Sequence, residues 1–391
     1  MNILIAGYVY IKENYFKTFA FYPEPSAINF LLPKTWKAKD GKIIFQPPNA
    51  ENVYVSRAYF YHSHYPLIGG LLKGWLPAFP FVLRRLKRAK KLTIVFSPSE
   101  PILLTTLYQA FWSKLFGLKH IIFTWENISY ENKFKGLNLL CKKIIIKLTI
   151  ALSDGIVCGN HKAEEICKRL TKKQTAVIPL SGVDVDFFRP VNGDRFLNTY
   201  NLHDKLIFSY AGAIGYRKGI HILIQAFQNV VLLIPNVHIV IAGSGEYEKE
   251  ISELITELNL QEHITRIPWL NRVGLRELLS VSHVFVHPSL VYAGWEEQFG
   301  YSMAEASAME LPVISTSTGS IEEVVVDGTT GLLVKPNDKA SLEEAMIRLG
   351  LDLELRKNMG CAGRQHIIQH FSYKIVAEKF YEFFKKVNLH R

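Results

Sequence analysis

Two carboxylates with seven residues between them, Glu297 and Glu305, carry the clearest chemistry in this 391-residue chain. They lie in HPSLVYAGWEEQFGYSMAEASAMELPVIST, which runs from His287 to Thr316. A strand ends at about His287, an irregular acidic loop follows, and the pattern predicts a helix from Gly300 or Tyr301. The amides of Gly300, Tyr301 and Ser302 would then be first-turn donors without helical partners, and such donors attract phosphate. Glu297 before the helix and Glu305 within it would bracket that anion site. This suits a ligand with hydroxyls on both sides of a diphosphate, as a nucleotide sugar has. The alternative is a solvated loop acid and an ordinary helix residue. A second candidate is AGAIGYRKGIH, residues 211–221, where a strand, a glycine-rich turn and a helix start bring Arg217 and Lys218 toward a diphosphate. The GSGE at 243–246 follows a strand as well, although a lone GxG is often only a tight βα turn.

The elements that must position these groups are easiest to read in the second half. LIFSYA, ending at Ala211, is a short buried strand, and Ile220, Leu223, Ile224, Phe227, Val230 and Val231 recur after it at helical spacing. The alternation continues to a strand at 312–315, which predicts βαβ units and a parallel sheet covered on both faces. In the first half, runs at 3–6, 92–96, 120–124 and 155–158 read as buried strands. Residues 12–64 have no clear period and receive no assignment. VIPLSGVDVDFFRPVNGD at 177–194, punctuated by Pro179, Gly182, Pro190 and Gly193, reads as a hinge. The implied domains are 1–190 and 191–370, with a C-terminal amphipathic helix in 371–391 that could pack back toward the first domain. In open parallel sheets the ligand lies beyond the carboxyl ends of the strands, and two facing domains make a cleft.

Composition narrows the partners. Residues 1–190 hold 27 basic and 12 acidic side chains, whereas residues 191–391 hold 19 and 23. A basic half joined to a mildly acidic one excludes a uniformly basic nucleic-acid coat and points to an anionic surface or acceptor on the first half only. Residues 66–91 join an apolar stretch bearing Trp75, Phe79 and Phe81 to six basic residues in eight, RRLKRAKK. That is the pattern of an interfacial contact with an anionic membrane, or of a buried helix ending in a charged turn. Lys73 and the prolines at 66, 77 and 80 argue against a span. Cys141, Cys158, Cys167 and Cys361 lack metal-ligand spacing or a disulfide pattern, which fits a reducing, cytoplasmic setting. No export signal is read at the N-terminus.

Taken in order, VIPLSGVDVDFFRP, RKGIHILIQAF, IAGSGEYEKEI and EEQFGYSMAEASAMELPVIS make the chain, over roughly 158–387, resemble the retaining GT-B glycosyltransferases of family four. The resemblance implies an α/β GT-B fold of two facing Rossmann-like domains. It also implies transfer of a sugar from a UDP- or GDP-sugar to a lipid-linked, membrane-associated or polysaccharide acceptor, with no metal cofactor required. Glu297 would hold the donor sugar's hydroxyls and stabilise its developing positive charge, and Lys218 would neutralise the diphosphate. Phe299, Gly300, Tyr301 and Ser302 would present amides, Glu305 would accept the ribose hydroxyls, and Trp269 and Leu270 would approach the base. Gly212, Arg217 and Gly243 complete the donor side.

The chain departs from the family pattern in three places. Ala213 stands where an arginine is usual, Gly7 is alone where two glycines are common, and Trp125 and Glu126 occupy a place often held by histidine. Gly7, Trp125 and Glu126 are therefore the acceptor-side candidates. His62, His64 and His161 are further candidates that read more simply as structural or surface residues. Asp184 and Asp186 read as linker rather than as a metal pair. Two other readings share the donor motifs: a GT-B-like nucleotide-sugar epimerase, and a non-catalytic nucleotide-sugar-binding scaffold, which Ala213 and Trp125 favour.

Overall fold

The protein is described from a computed structural model that covers residues 1–37, 42–62 and 70–389. His64 and the start of the 66–91 segment lie outside the described residues. The chain forms two units. The first comprises Met1–Gly182 and Tyr373–Arg391, and the second comprises Val183–Ser372.

The first unit opens with β1 (Asn2–Ala6) and β2 (Ile28–Pro33) and then makes a short antiparallel pair, β3 (Trp36–Lys37) with β4 (Ile43–Phe45). It continues through β5 (Val53–Ser56), β6 (Leu92–Ser97), β7 (Lys119–Thr124), β8 (Gly155–Cys158) and β9 (Gln174–Val177). Seven of these strands form a parallel sheet in the order β5-β2-β1-β6-β7-β8-β9. The final helix, Tyr373–Leu389, belongs to this unit, with Val376, Phe380 and Phe384 in one core with Ile5, Phe96 and Phe123. Each such apolar side chain removed from water contributes about 1.5–3 kcal/mol, which holds the last helix on the sheet.

In the second unit, β10 (Leu206–Ala211), β11 (Val237–Ala242), β12 (Ile264–Ile267), β13 (Val284–His287), β14 (Val313–Thr316) and β15 (Gly331–Val334) form a parallel sheet ordered β12-β11-β10-β13-β14-β15. All six residues of VHIVIA in β11 are buried, as are all four of VFVH in β13, because helices cover both faces. The order reverses between β10 and β13. At such a switch point the two connections leave to opposite faces and open a crevice at the carboxyl ends of the strands.

The boundary read from sequence at 190/191 falls inside the second unit. Val183 N donates to Phe371 O at 2.7 Å, and Arg272 Nη2 lies 2.9 Å from Asp184 Oδ2. Arg364 donates to the carbonyls of Val185 and Phe188. These ties hold residues 183–188, within the segment read as a hinge, on the second unit, and Asp184 serves as an anchor there.

Candidate functional site

Two segments meet at the switch point of the second sheet. After β10 the chain turns through residues 212–219 into helix Ile220–Leu233, and after β13 it runs through a loop to helix Tyr301–Ala308. Leu290 N donates to Arg217 O at 2.8 Å and ties the two together. The approach is close enough to require glycine: Gly219 has φ +67°, and a Cβ there would lie 2.0 Å from Pro288 O.

Three side chains converge on one carboxylate oxygen. Lys218 Nζ donates to Glu297 Oε2 at 2.5 Å, Ser289 Oγ donates to it at 2.9 Å, and His287 Nε2 lies 3.2 Å away. Lys218, Glu297, His287 and Ser289 are all buried. His287 stacks on Tyr210 with ring centres 5.5 Å apart, and its Nδ1 is buried without a partner. The tautomer with its proton on Nε2 satisfies this geometry, since Nδ1 then carries only a lone pair. A second layer fixes the backbone. Ser315 Oγ donates to His287 O at 2.6 Å, Thr316 Oγ1 to Ser289 O at 2.5 Å, and Ser320 N to Glu297 O at 2.9 Å. Gly319, at φ +59°, passes so near that a Cβ would stand 1.9 Å from Glu297 O.

The electrostatics follow from burial and pairing. Desolvation alone would raise the Glu297 carboxyl, but the His287 hydrogen bond and the Lys218 charge outweigh it and hold the group well below the usual carboxylate range. Burial lowers the Lys218 ammonium, against the opposite pull of Glu297. Burial and the neighbouring Lys218 also lower His287, which keeps it neutral. Glu297 is therefore a fixed negative charge in a dry setting.

Arg217 lies with its guanidinium 3.7 Å from the centre of the Trp295 ring, and Lys218 Nζ is 5.0 Å from the same ring. Trp295 is presented by a two-residue turn in which Tyr292 and Trp295 exchange backbone hydrogen bonds. The Arg217 Nη1 atom is buried and has no hydrogen-bond partner.

The other expected donor-side residues are spread along the same edge. Gly212 N donates to Ala242 O, and Gly243 packs so tightly on it that a Cβ would meet Gly212 O at 1.8 Å. Ala213 O accepts from Tyr210 Oη at 2.8 Å. Gly300 precedes helix Tyr301–Ala308 with φ +81°, and Ser302 sits in its first turn. The Phe299 side chain is buried against Tyr301 and Phe371, so only its backbone can face a ligand. Burial raises the Glu305 carboxyl to about 7, with Arg272 pulling the other way. Trp269, 65% exposed, and Leu270 stand past the end of β12, two strands from β10.

In the first unit, Gly7, Trp125 and Glu126 follow β1 and β7. Trp125 N donates to Glu100 Oε1 and Thr124 Oγ1 to Glu100 Oε2, both at 2.7 Å, while Glu126 pairs with Lys133 at 2.7 Å. Burial and the neighbouring Glu126 raise the Glu100 carboxyl to about 7. His161 opens a surface helix, His161–Leu170.

Sequence reasoning did not single out His287, Ser289, Trp295, Gly319 or Glu100 as site residues. A polar residue closing an apolar strand, as in VFVH, is the signal that marks His287, whereas Glu100 lies three residues past the end of β6 and carries no such signal. Among the described residues, no three His, Cys, Asp or Glu side chains gather as a metal ion would need.

Residues 196–366 match the family model of glycosyl transferases group 1. The capsular polysaccharide biosynthesis glycosyltransferase CapM of Staphylococcus aureus is 29% identical over 251 residues, covering 62% of this chain and 61% of CapM. The GDP-mannose-dependent monoacylated alpha-(1-6)-phosphatidylinositol monomannoside mannosyltransferase of Corynebacterium glutamicum is 32% identical over 168 residues, covering 42% of each chain. The chain thus spans less than two thirds of the length of these relatives. Anabaena Alr3699/HepE in complex with UDP superposes with a TM-score of 0.75 at 16% identity, covering 99% of this chain and 100% of HepE. At that identity the likeness speaks for the fold alone, which is the α/β GT-B fold with a parallel sheet in each of two units.

Proposed function

We propose that this chain, whose residues 196–366 carry the group 1 glycosyl transferase pattern, is a retaining glycosyltransferase. It moves a sugar from a UDP- or GDP-sugar to a lipid-linked, membrane-associated or polysaccharide acceptor at an anionic membrane surface. The observation that carries this reading is the buried, ionised Glu297 at the switch point of the second sheet, with Lys218 and Arg217 beside it.

In this reading the donor diphosphate takes the first-turn amides of helix Tyr301–Ala308 and the unpartnered Nη1 of Arg217. As the bond from C1 to the diphosphate oxygen breaks, positive charge grows on the sugar and negative charge on the leaving group. Glu297 faces the first and Lys218 the second, and because both are already fixed in place little reorganisation is needed. The acceptor hydroxyl oxygen bonds to C1 on the face the diphosphate leaves, and the departing diphosphate oxygen takes its proton. Glu305 holds the ribose hydroxyls.

The relatives support the substrate classes by what their names state: capsular polysaccharide biosynthesis for CapM, and GDP-mannose with a phosphatidylinositol monomannoside for the mannosyltransferase. HepE was crystallised with UDP. The test is to incubate the pure protein with UDP- and GDP-sugars, with and without lipid extract, and follow nucleoside diphosphate. Acceptor-dependent release with a product of unchanged anomeric configuration is expected. Donor binding without turnover across a broad acceptor panel would overturn the proposal.

A further inference from the structure

The first unit carries a continuous apolar face that its own core does not use. Helix Gly136–Leu152 buries Ile145, Ile146 and Ile150 but leaves Leu137, Leu140, Ile144 and Leu148 between 49% and 75% exposed. Their spacing of three and four residues puts them in one stripe along the helix. The neighbouring helix Leu104–Leu115 adds Phe111 and Leu115, 51% and 64% exposed. A shallow cavity of about 470 Å³ joins the two helices to the loop before helix Phe79–Lys90, with Leu72, Trp75, Tyr108, Phe111, Leu148 and Leu152 on its walls. Single exposed leucines are ordinary, whereas a contiguous patch of this kind marks a binding surface.

The charge around the face identifies the partner. The two helices carry Lys114, Lys142, Lys143 and Lys147 and no acidic residue. Glu131, the nearest acid in sequence before the second helix, is paired with Lys143 at 2.8 Å. Lys87 Nζ donates to Phe116 O at 2.5 Å, which brings the basic helix Phe79–Lys90 to the end of the same face. Trp75 and Tyr108 pack with ring centres 4.0 Å apart, and such amphipathic rings favour a boundary between apolar and wet surroundings. A second copy docked about a twofold axis would set this lysine fringe against itself. Among the described residues no helix is long and apolar enough to cross a membrane.

We infer that this face of the first unit, formed by helices Leu104–Leu115 and Gly136–Leu152, rests on the interface of an anionic lipid bilayer, with Leu137, Leu140, Ile144 and Leu148 inserted and the lysines at headgroup level. The inference deepens the proposed membrane-associated acceptor and rests on that reading. It extends the contact from the basic run at 84–91, where Lys87 and Lys90 are engaged by Phe116 O and Asn29 Oδ1, to the adjoining helices.

The test is co-sedimentation of the full chain with phosphatidylglycerol–phosphatidylcholine vesicles and with phosphatidylcholine alone, at low salt and at about 0.5 M salt. The variants are Leu140→Ser with Ile144→Ser, Lys143→Gln with Lys147→Gln, and Leu232→Ser as an exposed control in the second unit. Nucleotide-sugar binding and light-scattering mass are measured on each. Wild type should prefer anionic vesicles. The apolar double variant should bind about tenfold or more weakly with nucleotide-sugar binding intact, the lysine variant should lose the low-salt preference, and Leu232→Ser should match wild type. Vesicle binding unchanged in the apolar variant, or a wild-type dimer that this variant dissolves, would overturn the inference. Absent vesicle binding beside intact sugar transfer would remove the membrane face alone, whereas absent nucleotide-sugar binding would remove the transferase reading.

Discussion

Lys218 Nζ stands 2.5 Å from Glu297 Oε2, although 79 positions separate the two residues in the chain. The distance closes because β10 and β13 are neighbours and both connections turn back over the carboxyl edge between them. Neither residue bears its charge on the surface, so the pair is held by packing, by Ser289 and His287, and by the backbone ties from Ser315, Thr316 and Ser320.

Breaking this pair from one side should cost more than removing it. Glu297→Ala and Lys218→Met each leave a buried charge without its partner, and each should lose about 3–5 kcal/mol of stability. Lys218→Met combined with Glu297→Leu should recover most of that loss while leaving turnover low. Urea denaturation of the three variants checks the stability order. A double variant as unstable as the two single losses combined would count against the pair as the source.

Donor affinity should depend on pH through Glu305. Its carboxyl titrates at about 7, and only the ionised form accepts two hydroxyl donors fully. Binding of a nucleoside diphosphate should therefore weaken as pH falls through 7 and level off above it, and Glu305→Gln should flatten the profile. Calorimetry from pH 5.5 to 8.5 reads this directly. An unchanged pH profile in the variant would remove Glu305 from the donor site.

Gly319→Ala separates steric conflict from backbone strain. Its Cβ would lie 1.9 Å from Glu297 O, whereas a Cβ on Gly294, at φ +70°, would meet nothing within 4 Å. Gly294→Ala should cost only the left-handed conformation, roughly 1–2 kcal/mol. Gly319→Ala should cost more and depress turnover, because it shifts the carboxylate-bearing loop. Equal thermal shifts in the two variants would contradict this placement.

Glu100 should act on the acceptor side. Its two oxygens fix Thr124 and Trp125 N, so Glu100→Ala loosens the loop that carries Trp125 and Glu126. Acceptor KM should rise about 10- to 100-fold with donor KM unchanged. A matching rise in donor KM would point to general unfolding.

The second unit was legible because most of its strands are short apolar runs followed by a helix of period 3.6, and Glu297 lies in the loop between one such strand and the helix that carries Glu305. The region 12–64 was not. Strand β2, INFLLP, is buried on both faces and includes Asn29 and Pro33, so it shows neither alternation nor a clean apolar run. Before it, Tyr10, Phe16 and Phe19 sit on short helical turns, where no period applies, and gather around Phe30 of the strand. A strand end marks His287, but what it and Ser289 bind was hidden for another reason. Their roles depend on the adjacency of β10 and β13, which local spacing does not encode.

Acceptor-dependent release of nucleoside diphosphate by wild type and Glu297→Ala, measured side by side with circular dichroism to confirm folding, tests the proposed chemistry most directly. Wild type should turn over only when acceptor is present, and folded Glu297→Ala should be slower on the order of 10²-fold or more. Near-wild-type turnover in the folded variant would contradict the assignment of Glu297 and, with it, the site at the switch point of the second sheet.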